Sequence, residues 1–349
     1  MVLKNPKVSV IIPVYNNGRY LQKCLDSVIT QTYKNIEVIC INDGSTDESL
    51  DILKHYSKLN TKIGKITLIN QENRGTLLAR KKGVTVSSGQ YILFLDSDDY
   101  FSSSASLLTA VQEIDRYQVD ILEFSKNIDG TSGTDIKRYQ KAYKNKASEF
   151  KANNLINFIF KRRSWSLINK IFKAENIKKA FAEIENIRLS TSEDAYTSVF
   201  ISYFSKSFRS IETPIITYRL GSGISTTNSL TFERYQKFIE SFKIKASLEK
   251  FLKKYNCYDE HRGVVTYLDN RIRKDAFHAL GRLETKELKR AFDILNEHIN
   301  IKGTLQNYSL LDYLKYSFLY HVTFGSTKAR YLRKSKRSRN MLYLKDLIK

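Results

Sequence analysis

Short apolar runs alternate with helix-patterned stretches through the first third of the chain, and this alternation restricts the fold more than any other feature. Residues 8–15 are β-branched and apolar and end at Asn16-Asn17-Gly18. Residues 19–30 then carry Tyr20, Leu21, Cys24, Leu25, Val28 and Ile29 at helical spacing. Strands are predicted over 36–41, 66–69, 91–95 and 120–124, and helices over 48–59, 76–86 and 105–117, with Gly89 placed to stop the helix before it. A strand and a helix every roughly 25–30 residues is the pattern of a parallel α/β sheet.

The strand ends carry the chemistry. Three of them finish in polar clusters: Tyr15-Asn16-Asn17, Asp43-Gly44-Ser45 and Asp96-Ser97-Asp98-Asp99. Ligands of open parallel sheets bind just beyond the carboxyl ends of the strands. Aspartates there can hold a hard divalent cation and leave room for phosphates. Any one cluster would also serve as ordinary turn chemistry, and the acidic one as the cap of the next helix. Three at successive strand ends point to one site.

Several classes are disfavoured. No glycine-rich dinucleotide or P-loop fingerprint follows the first strand, and no nucleophile-elbow motif is present. The five histidines lie away from the clusters, and Cys24, Cys40 and Cys257 have no metal or disulfide spacing. What remains is a site of carboxylates around an oxygen-bound metal.

These residues resemble a known family. Residues 8–16, then Asn42-Asp43-Gly44-Ser45-Thr46-Asp47, then Asn73-Arg74-Gly75 with Ala79-Arg80, then Asp96-Ser97-Asp98-Asp99 are similar, over about residues 7–125, to the nucleotide-sugar domain of family 2 glycosyltransferases. The resemblance implies a GT-A (Rossmann-like) α/β fold and inverting transfer from a nucleotide-sugar, with a divalent cation, Mn2+ or Mg2+. It implies that Asp43 accepts the N3–H of a uracil ring, as an acceptor-only carboxylate can. It also implies that Pro13 and Tyr15 border the base with Arg80 near it, and that Asp96 and Ser97 line the donor site. Asp98 is then the metal ligand. Asp99 would be a second acid behind it or a helix N-terminal acid.

The acceptor half is expected in residues 126–228, completing a catalytic domain of 1–228 whose nucleotide-binding half is 1–125. In Ser190-Thr191-Ser192-Glu193-Asp194 the resemblance implies Asp194 as the base that takes the acceptor proton. By itself the segment also reads as a helix start. Glu193, Trp165 and Arg219 are candidates for acceptor or diphosphate contact, and Trp165 would serve equally as a core residue. Many relatives carry a histidine near positions 220–222, and this chain has none. Either Asp98 is then the only protein ligand, or Arg219 neutralises the diphosphate.

Charge divides the chain. Residues 1–125 hold 14 basic and 14 acidic residues, and the remainder holds 44 and 22, so the net +22 lies beyond the first part. Residues 229–349 are expected to form a helical, basic region, with helices over 231–255 and 285–299. Its aromatics over 310–320 and cations over 328–339 suit an anionic membrane surface. A packed helix with a solvated basic tail is the plainer alternative, and no nucleic-acid motif accompanies the charge. With no signal peptide or membrane span predicted, the expected enzyme is cytoplasmic and peripheral on the inner face of a bacterial plasma membrane. It would glycosylate a surface polysaccharide or lipid-linked oligosaccharide. The alternative is a nucleotide-sugar-binding scaffold of the same fold without turnover.

Overall fold

The computed structural model describes residues 5–59, 61, 63–64, 66–130, 145–220 and 230–298. In chain order the strands are β1 (Val8–Val14), β2 (Ile36–Asp43), β3 (Ile66–Gln71), β4 (Tyr91–Phe94), β5 (Tyr100–Phe101), β6 (Ile121–Asp129), β7 (Ser148–Lys151), β8 (Lys170–Lys173) and β9 (Ser207–Arg219). The first helices are α1 (Gly18–Ile29), α2 (Ser49–Lys58), α3 (Thr76–Val86) and α4 (Ser106–Tyr117). They are followed by α5 (Ile156–Arg162), α6 (Ala174–Glu183) and α7 (Glu193–Phe204).

β1 is buried along its whole length because it has a parallel neighbour on each side, β2 and β4. β3 extends the parallel set beyond β2. Successive side chains of β1 enter opposite layers. Val8, Val10, Ile12 and Val14 join one core with Leu21 and Leu25 of α1, Leu53 of α2 and Leu107 of α4. Ile11 faces the other way, against Gly83 of α3. Pro13 is tolerated in this central strand because its missing N–H would face β4, whose ladder ends where Leu95 N–H donates to the Ile11 carbonyl.

The parallel alternation stops at β4. The expected continuation, β6, does not pair with it. β8 lies between them, antiparallel to both, and β9 then pairs in parallel with β6. The strand order is β3-β2-β1-β4-β8-β6-β9-β5, with β7 on β9. β8 is only Lys170-Ile171-Phe172-Lys173, too short and too lysine-bounded to stand out as a strand. β9 shifts register between Phe124 and Lys126 of its partner and contains Pro214, so its apolar alternation is broken. Gly89 also differs from expectation. The helix before it ends at Val86, and a Cβ at Gly89 would lie 2.7 Å from the Ser9 backbone nitrogen, so the residue serves a close approach of backbones.

The chain divides into two compact units, residues 1–226 with 246–264, and residues 227–245 with 265–349. In the first unit, Phe251 and Tyr255 pack on Tyr203 and Phe204 of α7. The described part of the second unit is helical, with Phe232–Glu240 (α8) and Thr285–His298 (α11). Lys243–Lys254 (α9) and Tyr258–Leu280 (α10) complete the helix order. The helix expected over 231–255 is divided at Ser241-Phe242, whose amides bond carbonyls three residues back. Among the described residues no helix is long and apolar enough to cross a membrane. The basic and aromatic segment over 310–344 lies outside the described residues.

Candidate active site

The three strand-end clusters are tied to one another. Asn17 follows β1 and donates through Nδ2 to Ser97 Oγ at 2.7 Å. Its backbone N–H reaches Ser49 Oγ at 3.0 Å. Asp47 takes the Gly18 N–H at 2.9 Å and the Ser49 N–H at 3.0 Å, joining the start of α1 to the start of α2. Tyr15 is exposed above this knot and Pro13 is buried beneath it. Ser97 is itself buried, with its hydroxyl engaged by Asn17.

Asp43, at the end of β2, is almost wholly buried. Its Oδ1 accepts from Gln71 Nε2 at 2.7 Å and Arg74 N–H at 2.9 Å, and its Oδ2 from Gly75 N–H at 2.9 Å. Three of roughly four acceptor sites on a carboxylate are therefore used by the chain. The residue shapes the turn into α3 and keeps one free lone pair, on Oδ2. Gly75 in that turn has φ +86, and a Cβ there would lie 2.8 Å from the Leu189 carbonyl oxygen. The segment leading to α7 is thereby packed against the start of α3.

Arg80 lies one turn into α3 and is fully buried. Its guanidinium passes over the Phe94 ring, 5.8 Å from the centroid, and ends among carboxylates. Nη2 donates to Asp96 Oδ1 at 2.8 Å. Nη1 donates to Asp194 Oδ1 at 2.6 Å and to Glu193 Oε1 at 3.3 Å. Burial opposes its charge, but the three carboxylates outweigh burial and hold it protonated. Glu193 is pushed up to about 7 by burial and by Asp194, against the pull of Arg80. Both acids occupy the first turn of α7, where the helix dipole favours negative charge. Asp194 Oδ2 also accepts the Leu167 N–H at 3.3 Å.

Asp96, Asp98 and Asp99 follow β4 in a turn closed by Asp99 N–H to the Asp96 carbonyl at 3.0 Å. One oxygen from each of the three lies within 4.8 Å of the others. Asp99 is 0% exposed. Its Oδ1 accepts the Arg219 N–H at 2.9 Å, and its Oδ2 is buried without a hydrogen-bond partner. Burial, Asp98 and Asp96 together raise its pKa well above the usual carboxylate range. An all-oxygen donor set with an orphaned buried oxygen fits a hard divalent cation. Asp98 and Asp96 would hold it, with Asp99 behind them.

Arg219 does not reach freely into the site. Its Nε donates to the Asp98 carbonyl at 3.2 Å, Nη1 lies 3.4 Å from Asp129 Oδ2, and Tyr20 stacks on it at 4.7 Å. The residues that follow it, 221–229, lie outside the described residues. Trp165 is half-buried and stacks on Phe160 at 5.6 Å, on the loop whose Leu167 amide meets Asp194.

One residue of this neighbourhood escaped the sequence reading. Lys126 on β6 is buried over the Tyr218 ring, at 5.2 Å from its centroid. Its pKa is pushed down to about 8 by burial and by Lys170, against Asp99, Asp194 and Glu123. The signal was available: Glu123 and Lys126 are charges inside the buried run Ile121–Lys126 of a predominantly β-patterned segment.

The family model described as Glycosyl transferase family 2 matches residues 9–172, from the start of the parallel sheet through β8. Residues 9–172, just under half of the chain, carry the family 2 glycosyltransferase domain. Among its relatives, GlyA of Streptococcus pneumoniae, named a glycosyltransferase, is 48% identical over 120 residues, which are 34% of this chain and 17% of GlyA. EpsH of Bacillus subtilis is 29% identical over 268 residues, 74% of this chain and 73% of EpsH. The matched part of this chain is thus a small fraction of GlyA and most of EpsH. The crystal structure of S. aureus TarS 1-349 in complex with UDP-GlcNAc superposes with a TM-score of 0.52 at 19% identity, covering 84% of this chain and 89% of that one. The chain thus has the GT-A fold.

Proposed function

We propose that the protein is an inverting, metal-dependent glycosyltransferase that moves a sugar from a UDP-sugar to a hydroxyl of a bacterial surface polysaccharide or lipid-linked oligosaccharide. One observation carries this reading. Asp96, on the metal side, and Asp194, the expected base, sit on the two arms of a single buried guanidinium. A donor diphosphate placed over Asp96 and Asp98 then has its anomeric carbon within reach of a hydroxyl held by Asp194.

In this reading Asp194 takes the acceptor proton as the hydroxyl oxygen attacks the anomeric carbon, and the nucleoside diphosphate departs from the opposite face. Asp98 and Asp96 would hold a divalent cation, which would supply Lewis-acid charge for the leaving diphosphate. The free lone pair of Asp43 takes the uracil N3–H, and Tyr15 lies beside the ring. The UDP-GlcNAc bound by the structural relative TarS supports the donor class. The surface-glycan acceptor and the membrane face rest on the basic second half of the chain.

The test is calorimetric titration with UDP and GDP, with and without Mn2+, followed by transfer assays with UDP-sugars. Metal-dependent binding of UDP in preference to GDP is expected. Asp98→Ala and Asp194→Ala should each lower transfer by about 10³-fold or more while the circular dichroism spectrum stays native. Full turnover by the Asp194 variant would remove it as the base, and a preference for GDP would overturn the use of Asp43.

A further inference from the structure

Arg80 is expected, by family resemblance, beside the nucleotide base. Its hydrogen bonds lie elsewhere. Both terminal nitrogens are spent on carboxylates from two distant segments, Asp96 after β4 and the Glu193-Asp194 pair at the start of α7. Asp43 accepts from Gln71, Arg74 and Gly75 instead.

The consequence for Asp194 is geometric. Its Oδ1 is held by Arg80 at 2.6 Å and its Oδ2 by the Leu167 amide at 3.3 Å, so the plane of the carboxylate is fixed from both sides. Arg80 in turn cannot swing. It is buried over the Phe94 ring of β4, and its stem belongs to a helix pressed on Ile11 through Gly83. A lysine at this place would present a point charge and could not span two carboxylates with one rigid fork.

We propose that Arg80 is a positioning residue for transfer, aligning the base Asp194 and locking it to the metal-side Asp96. The proposal rests on the glycosyltransferase reading above, with Asp194 as base. It makes the distance between base and metal site a property of one side chain. It also predicts that Arg80 acts on the chemical step and leaves nucleotide binding nearly untouched.

The experiment compares wild type, Asp194→Ala, Arg80→Lys and Arg80→Ala in three measurements: kcat for transfer, KM for the donor, and the Kd for UDP with Mn2+. For Arg80→Lys the expected result is a fall in kcat on the order of 10²-fold, the cost of misplacing a reacting group by about an ångström. Donor KM and the UDP Kd should move by less than about threefold, within the scatter of an unperturbed site. Guanidinium chloride at tens of millimolar should restore activity to Arg80→Ala by filling the vacated cavity, a rescue that a purely structural role would not give.

A raised Kd and KM with kcat retained would overturn the proposal and return Arg80 to the donor pocket. Unchanged kinetics would overturn it outright. If Arg80→Ala does not fold, Arg80→Lys decides, and a lysine variant that also fails to fold would make Arg80 a stability element and sink the proposal. Absence of sugar transfer by the wild type, or full activity of Asp194→Ala, would instead sink the functional reading beneath it.

Discussion

Glu37 stands near the amino ends of the strands and shows how firmly one side chain can set a turn. Its carboxylate takes bonds from Ser9 Oγ, Ser88 Oγ and the Ser88 and Gly89 amides, with Lys7 ion-paired at 2.9 Å. Burial alone would raise its pKa, but these donors win and lower it from 4.5 to about 2. The folded state therefore keeps the charge where the unfolded chain would protonate. Its stabilisation is present above pH about 4.5 and is lost as pH falls toward 2. Glu37→Gln should cost about 2 kcal/mol at pH 7 and much less below pH 3, as urea denaturation at the two pH values would show. Lys126 has the opposite sign. Its folded pKa, lowered from 10.5 to about 8, means that the unfolded chain binds the proton more tightly. Wild-type stability should rise between pH 8 and 10.5, and Lys126→Met should raise Tm at pH 7 by more than at pH 10.5.

At the scale of elements, α3 is the one on which the site depends. It carries Gly75 at its entry, Arg80 in its first turns and Gly83 against the sheet. A Cβ at Gly83 would lie 2.4 Å from Ile11 Cγ2, so the helix can sit this deep only without a side chain there. Gly83→Ala should push α3 outward, cost about 1–3 kcal/mol and lower kcat with it. Adding Ile11→Ala should recover part of both, a coupling that a double-mutant cycle measures. The four parallel strands were legible because each is a mainly apolar, β-branched run, three of them ending in a polar cluster. β8 and β9 were not, since one is four residues long and the other is broken by a register shift and a proline. The aspartates could be found because turns after strands are where such residues are informative. What joins them could not: Arg80 is 16 residues from Asp96 and 114 from Asp194, and no local pattern encodes that meeting.

At the scale of the whole molecule, the basic excess beyond residue 125 remains the best guide to where the enzyme works. Removing the residues after Arg330 should abolish cosedimentation with vesicles containing anionic lipid and leave transfer to a short soluble acceptor unchanged. Binding that survives the truncation would remove the membrane face from the proposal. The placement of β8 bears on how the protein is made. During synthesis β4 emerges with one edge covered by β1, and its other edge waits for a partner about eighty residues further along the chain. Until residue 173 has left the ribosome, β4 presents an open edge next to the Asp96–Asp99 turn. A fragment ending at residue 130 should therefore self-associate, and one that continues through β9 should not. The nascent chain should thus pass through an interval in which β1–β4 are complete but unsealed, and β8 is what closes them.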